Sequence, residues 1–330
     1  MHEFNLLEFN SYLVQSLERD CGPALIPLVR HHFQTIGKGV RPQVVHQLAQ
    51  VLGVPPEKVV PWAAACEVLH NATLVHDDLQ DGDEVRRGQS TIWRQYGPAQ
   101  AINMGDYLLM YAPLYIEELA VSAEQKWQLA KLFSWISTRI VLGQTLEPRL
   151  YELTRSPSLE EEYFTCIRHK TADLFRLCAI GVSIIAGSED DDLGDLWEQI
   201  GLVFQIQDDL LDLYGDKQRG ERGCDIREGK ISALVVAHLI RCPEDHDWVM
   251  EILRRPRDLT TTQDVESLSQ IFIEKGARQH VLQGLAARIR NIRSSPSLER
   301  HPGLRDYVQA TLRQILKPIA HLLNTEEENL

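Results

Sequence analysis

The chain has 330 residues, 44% hydrophobic and 25% charged, which suits a globular protein with a sizeable core, and its 47 acidic against 34 basic residues leave a net charge of −13. That balance argues against nucleic acid or an anionic membrane as the main partner. The six cysteines, Cys21, Cys66, Cys166, Cys178, Cys224 and Cys242, show no C-x-x-C spacing, so they read as free thiols of a reducing compartment rather than zinc ligands.

Met1 to Asp20 is amphipathic, with Glu3, Glu8 and Glu18, and lacks the basic start and apolar run of a signal peptide. No segment reaches the about 18 uninterrupted apolar residues of a membrane span, so no transmembrane segment and a cytoplasmic location are expected. Gly37-Lys38-Gly39-Val40-Arg41-Pro42 follows, two cations three positions apart, with glycines that let a backbone approach an anion and a proline suited to a helix start. Apolar residues at three-and-four spacing then predict helices over Trp62 to His76, Ala99 to Leu119, Trp127 to Leu150, Glu160 to Ala186 and Asp195 to Tyr214. Gly and Pro punctuate the intervals at Gly53 to Pro56, Gly97-Pro98, Ser156 to Ser158, Gly187-Ser188 and the Gly215 to Gly229 loop. Ser158, three residues before Glu161, predicts a capping box at a helix start. From about Pro243 the chain is more charged, with Arg-rich turns, and reads as a helical wall or lid. Strand-like alternation is nearly absent and no repeat is present, so residues 1–330 are expected to form one all-α domain of ten or more helices.

Two acidic segments of the same spacing stand in apolar, helix-forming surroundings: Asp77-Asp78-Leu79-Gln80-Asp81 and Asp208-Asp209-Leu210-Leu211-Asp212. Positions four apart on a helix lie on one face, so each segment presents two carboxylates together. Such stacking is repulsive unless cations neutralise it. Mg²⁺, which is held by one or two carboxylates together with phosphate oxygens, is the natural ion, and a diphosphate is the expected ligand.

The neighbours of these segments agree. Arg86-Arg87-Gly88 directly follows the first, and guanidinium forks bind phosphate oxygens bidentately. His70 lies two turns before Asp77 on the same helix face and is placed to donate to a phosphate. Lys170-Thr171 puts a cation and a hydroxyl in the middle of an apolar helix, where an anionic partner would be needed. Gln205 shares a face with Asp208 and Asp212. The Gly215 to Asp225 loop, dense in Gly and charge, reads equally as a lid over a bound diphosphate or as a solvated loop, and ends at Gly229-Lys230.

Taken together, these blocks resemble the trans-isoprenyl diphosphate synthases, the farnesyl, geranylgeranyl and longer polyprenyl synthase family. The likeness covers about Gly37 to Ile240 in ordered motifs: G-K-x-x-R-P at Gly37, H-x6-D-D-x-x-D at His70, R-R-G at Arg86, K-T at Lys170, F-Q-x-x-D-D-x-x-D at Phe204 and G-x-D-x-x-x-G-K at Gly223. The resemblance implies a single large helical bundle of the isoprenoid synthase type around a central cleft. It implies that Asp77, Asp81 and Asp208 hold three Mg²⁺ ions, with Asp78, Asp209 and Asp212 in support. The allylic diphosphate (dimethylallyl, geranyl or farnesyl) would meet Arg86, Lys170 and Lys230; isopentenyl diphosphate would meet Lys38, Arg41, His70 and Arg87; and Lys170, Thr171 and Gln205 would flank the ionising carbon. A homodimer is likewise implied, with the Ala99 to Leu119 helix as a face. Three departures stand out: Gly220, between Arg219 and Arg222, where the family usually has lysine; Ile231 to Leu234 where threonine and proline are common; and Glu147 where many relatives place aspartate.

Ala72 and Thr73, about 6 to 8 Å along the helix from Asp77, are small where an aromatic would close a product tunnel, with Leu69 and Cys66 deeper and Tyr107, Leu108 and Tyr111 facing. A product longer than C15, geranylgeranyl diphosphate, is therefore expected, with farnesyl or C25 and longer products as alternatives. A class I terpene cyclase would carry an Asn/Asp, Ser/Thr and Glu triad as its second metal site, and a non-catalytic subunit would have lost metal aspartates. Neither description fits these two segments.

Overall fold

The computed structural model describes residues 4–35, 37–188, 190, 192–215 and 222–323. Helices α1 (Leu6–Asp20), α2 (Ile26–Phe33), α3 (Val40–Val51) and α4 (Val60–Gln80) are followed by the strands β1 (Val85–Arg86) and β2 (Gln89–Ser90). Then come α5 (Ile92–Tyr96), α6 (Pro98–Tyr111), α7 (Ala123–Glu152), α8 (Leu159–Ile167), a π-helical turn over Arg168–Ala172, α9 (Asp173–Ala186) and α10 (Asp192–Tyr214). The remainder is α11 (Cys224–Arg227), α12 (Ala233–Arg241), α13 (His246–Leu253), α14 (Thr262–Glu274), α15 (Ala277–Arg293), α16 (Ser297–Arg300) and α17 (Leu304–Leu316). The chain divides into two compact units, Met1–Ser137 with Leu177–Leu193, and Thr138–Arg176 with Gly194–Leu330.

In the first unit α4 is the central element, and this explains its weakly amphipathic sequence: a helix surrounded by protein needs no polar face. Trp62, Cys66, Leu69, Ala72 and Val75 are all buried along it. Its most extensive partner is α6, which contributes Met104 and Leu108 to the core. The Tyr107 hydroxyl donates to Leu17 O at 2.7 Å and that of Tyr111 to Ser16 O at 2.8 Å, satisfying carbonyls near the end of α1. At the opposite end of α1, the Asn5 side chain caps the helix by accepting from Glu8 N at 3.2 Å.

The second unit packs Trp197 and Leu210 of α10, Phe175 of α9, Leu234 and Val235 of α12, Phe272 of α14 and Leu285 of α15 into a core of its own. A reciprocal capping box opens α14: Thr261 Oγ1 accepts from Asp264 N at 3.1 Å, and Asp264 Oδ2 from Thr261 N at 2.9 Å. At α8 the expectation was half right. Ser158 is the N-cap, but it makes no side-chain capping bond, because its hydroxyl is paired with Ser156 Oγ at 2.8 Å.

Three local features depart from the sequence reading. The expected Ala99 to Leu119 helix is α-helical only to Tyr111 and tightens to a 3-10 helix over Ala112–Ile116. The expected Glu160 to Ala186 helix is interrupted by the π turn. The segment after the first acidic set forms a small antiparallel hairpin, pairing Val85 with Ser90 and Arg86 with Gln89; its strands are too short for alternation to register. Among the described residues no helix is long and apolar enough to cross a membrane.

Candidate active site

In the first unit the acidic set occupies the C-terminal end of α4. Asp77 and Asp81 are half-buried one turn apart, and Asp81 N closes the last helical turn on Asp77 O at 2.8 Å. Asp78 points inward and is buried, where Arg86 Nε donates to its Oδ1 at 2.5 Å. Burial pushes Asp78 up to about 6 even though Arg86 opposes the shift.

Arg86 reaches Asp78 because the chain doubles back at once. The two-residue loop Arg87-Gly88 has φ of 54° and 77°, the left-handed pair that a type I′ hairpin turn requires. The hairpin is seated on the end of α2, where Ser90 O lies 2.7 Å from His31 Nε2 and Gln89 Nε2 donates to His31 O at 3.0 Å. It carries Arg87 over Gly37: Arg87 Nη1 donates to Thr35 O at 3.2 Å, and a Cβ at Gly37 would lie 2.4 Å from the guanidinium. His70, on α4, is held well below the usual imidazole range by burial and then by Arg41, Arg87, Arg86 and His32. His32 is pushed down to about 4, again chiefly by burial. The predicted residues Arg41, Arg86 and Arg87 are thus gathered around a neutral His70, a basic cradle within an acidic chain. Lys38 is exposed just before α3.

The second unit builds its acidic set differently. Asp208 is exposed, while Asp209 and Asp212 are buried on α10. Asp209 Oδ2 accepts from the Tyr163 hydroxyl at 2.7 Å and from Ala233 N at 2.7 Å, and its Oδ1 accepts from Gln205 Nε2 at 2.9 Å. Gln205, which shares a helix face with Asp208 and Asp212, thus bonds to Asp209, four residues on. Its Oε1 in turn accepts from Thr171 Oγ1 at 2.8 Å. Asp212 accepts from Cys224 N at 3.1 Å and Asp225 N at 3.3 Å and so opens α11.

Lys170 and Thr171 lie in the π turn, a conformation that recurs at functional sites because its extra residue re-aims side chains. Gly143 admits that turn, since a Cβ there would lie 2.7 Å from Lys170 N. One turn further along α7, Glu147 pairs with Lys170 Nζ at 2.7 Å. Lys230 pairs with Glu228 at 2.7 Å. Of the loop read equally as a lid or a solvated connection, residues 216–221, with Arg219 and Gly220, lie outside the described residues.

Sequence reasoning missed three supports: Tyr163, the Ala233 N–H and Glu147. Only Glu147 had a signal, as a departure from the family pattern. The Tyr107 and Tyr111 hydroxyls are bonded to α1, and Leu108 is the fully buried residue of the three.

The polyprenyl synthetase family model matches residues 23–272. The chain belongs to this family. It is 35% identical to geranylgeranyl diphosphate synthase of Saccharolobus solfataricus over 261 residues, 77% of this chain and 76% of that one. With geranylgeranyl diphosphate synthase of Sulfolobus acidocaldarius it shares 34% over 236 residues, 69% and 71% of the two chains. Among solved structures, geranylgeranyl pyrophosphate synthetase from Pyrococcus horikoshii Ot3 aligns with a TM-score of 0.81 at 26% identity, covering 93% of this chain and 94% of that one. Polyprenyl synthase from Caulobacter crescentus CB15, solved with calcium and isoprenyl diphosphate, aligns at 0.77 and 26% identity, covering 94% and 92%. This polyprenyl synthetase is accordingly an all-α prenyltransferase.

Its donor set suits a hard dication. Burial, and then the neighbouring Asp212, Asp209 and Asp208 carboxylates, push Asp225 well above the usual carboxylate range, an accumulation of negative charge that Mg²⁺ would relieve. A different cluster of candidate ligands, His238, Cys242 and Asp245, is already closed: Asp245 pairs with Lys275 at 2.8 Å and with His238 Nε2 at 2.9 Å.

Proposed function

We propose that this polyprenyl synthetase condenses isopentenyl diphosphate head-to-tail with an allylic diphosphate to give geranylgeranyl diphosphate. The observation that carries the reading is the pairing of chemistries: two acidic sets, each with an inward aspartate already bonded to the protein, and a cradle of Arg41, His70, Arg86 and Arg87. Asp77, Asp81 and Asp208 would hold Mg²⁺, three ions in all, with Asp78, Asp209 and Asp212 fixing the helices that carry them. Bound there, Mg²⁺ supplies the positive charge that stabilises pyrophosphate as it leaves the allylic carbon.

Arg41, His70 and Arg87, with Lys38, bind isopentenyl diphosphate; Arg86, Lys170 and Lys230 bind the allylic diphosphate (dimethylallyl, geranyl or farnesyl). Arg is suited to this work because its charge is permanent and its fork matches phosphate oxygens. Lys170, Thr171 and Gln205 face the allylic carbon as its C–O bond breaks. Their array is fixed in advance, because Glu147 holds the lysine and Asp209 holds the glutamine. The isopentenyl double bond attacks the allylic cation, and the proton then lost passes to pyrophosphate. Apolar side chains exclude water that would quench the cation.

Residues 1–330 act as one catalytic domain, a homodimer working in the cytoplasm. Six free cysteines support the location, and the exposed Ile102, Met110 and Leu114 on and just after α6 support the dimer. Ala72, small and buried on α4, sets a product beyond C15.

Incubation with Mg²⁺, isopentenyl diphosphate and each allylic primer, with products weighed by mass spectrometry, tests the reading; no elongated prenyl diphosphate from any primer would refute it. Ala72→Phe should shorten the product, and an unchanged chain length would remove Ala72 from the tunnel wall.

A further inference from the structure

Glu67 lies on α4, one turn before His70, and is only 9% exposed. A buried carboxylate beneath an anion-binding cradle works against the ligand unless it serves the cations around it. Its surroundings show such service. Arg41, also 9% exposed, enters from α3, which packs on α4. Among the charges around Glu67, Arg41 is the leading one that favours its ionised form, against burial that pushes its pKa up.

The other contacts form a chain. Asn71 Nδ2 donates to Glu67 O at 2.8 Å and to Glu67 Oε1 at 3.2 Å. With its NH₂ committed to Glu67, Asn71 turns Oδ1 toward His32 Nε2, 2.9 Å away, so that nitrogen carries the proton. Glu67 Oε2 is buried with no hydrogen bond among the described residues. Glu67 and Asn71 also line a small pocket together with Gly37, Gly39 and Arg87.

We propose that Glu67 is a positioning residue for the isopentenyl diphosphate subsite: buried beside Arg41, it balances that charge, and through Asn71 it fixes His32. The inference rests on the reading that Arg41, His70 and Arg87 bind isopentenyl diphosphate, and steady-state kinetics separate the two. A wild type that consumes no isopentenyl diphosphate sinks the parent reading and this one with it. Given wild-type turnover, Glu67→Gln should raise KM for isopentenyl diphosphate about tenfold, with kcat and the allylic KM changed by less than about threefold. Glu67→Asp, which keeps the charge on a shorter stem, should fall between, and Asn71→Ala should raise the same KM by about threefold. An unchanged KM for isopentenyl diphosphate in Glu67→Gln, an equal rise in both KM values, or a loss confined to kcat would overturn the proposal while leaving the parent reading intact. Circular dichroism at the assay temperature checks folding; should Glu67→Gln not fold, Glu67→Asp decides by the same KM comparison.

Discussion

In the first unit the middle aspartate of the acidic set, Asp78, is held by a cation, Arg86, at 2.5 Å, whereas its counterpart in the second unit, Asp209, is held by three neutral donors, Tyr163, Gln205 and the Ala233 N–H. Burial pushes both carboxyls up to about 6. One sequence motif therefore rests on two kinds of support. In the first, a single ion pair opposes the desolvation of a buried carboxylate; in the second, several dipoles share the task and tie the middle of α8 and the start of α12 to α10. The ion pair concentrates its stabilisation in one contact, and the dipole set distributes it.

The largest expected effect tests whether the outward carboxylates do the same work in both units. Asp77→Ala and Asp208→Ala should each lower kcat by about a thousandfold at unchanged melting temperature, since a metal ligand contributes several kcal/mol to transition-state stabilisation. A large effect in one variant and near-normal turnover in the other, read from product formation, would break the symmetry. Next come the supports themselves. Arg86→Gln strands a buried carboxylate and should cost about 2 kcal/mol, discounted because Arg86 is partly exposed, while Tyr163→Phe removes one of three donors and should cost about 1 kcal/mol. Thermal melts that rank these two in reverse would refute the contrast between concentrated and shared support.

The effect confined to acid pH concerns His32, which belongs to the first unit alone. Its pKa falls from 6.5 to about 4 on folding, so between those values the unfolded chain binds the proton more tightly and stability rises with pH. The contribution is complete above pH 6.5 and is lost as pH falls toward 4, amounting to at most about 3 kcal/mol. Melts of wild type and His32→Gln at stepped pH should converge near neutrality and separate on acidification, with the wild type losing more. Parallel curves would show that His32 is not buried in the neutral form.

The long helices were legible in the chain because apolar periodicity sustained over fifteen or more residues has no other ready explanation. The acidic sets were legible because their spacing makes sense only on a helix face. The π turn was not: one extra residue at Arg168–Ala172 leaves the composition unchanged, and only the packing of Gly143 against Lys170 N betrays it. The hairpin was hidden by strands of two residues each. The partner of Gln205 was not legible, because residues three, four and seven positions away all lie near its face, and its meeting with Asp209 is set by Thr171 and Tyr163 from elsewhere in the chain. Distant supports such as Tyr163 have no local signature at all.

Gly37 shows how a position can matter without being touched by chemistry. The atom its side chain lacks would lie 2.4 Å from the tip of Arg87, a flexible group that moves aside at little energetic cost. Exchange for alanine would leave a protein that melts normally and binds its anion with a displaced arginine. A screen for stability would pass such a variant, and only a ligand titration would find the fault.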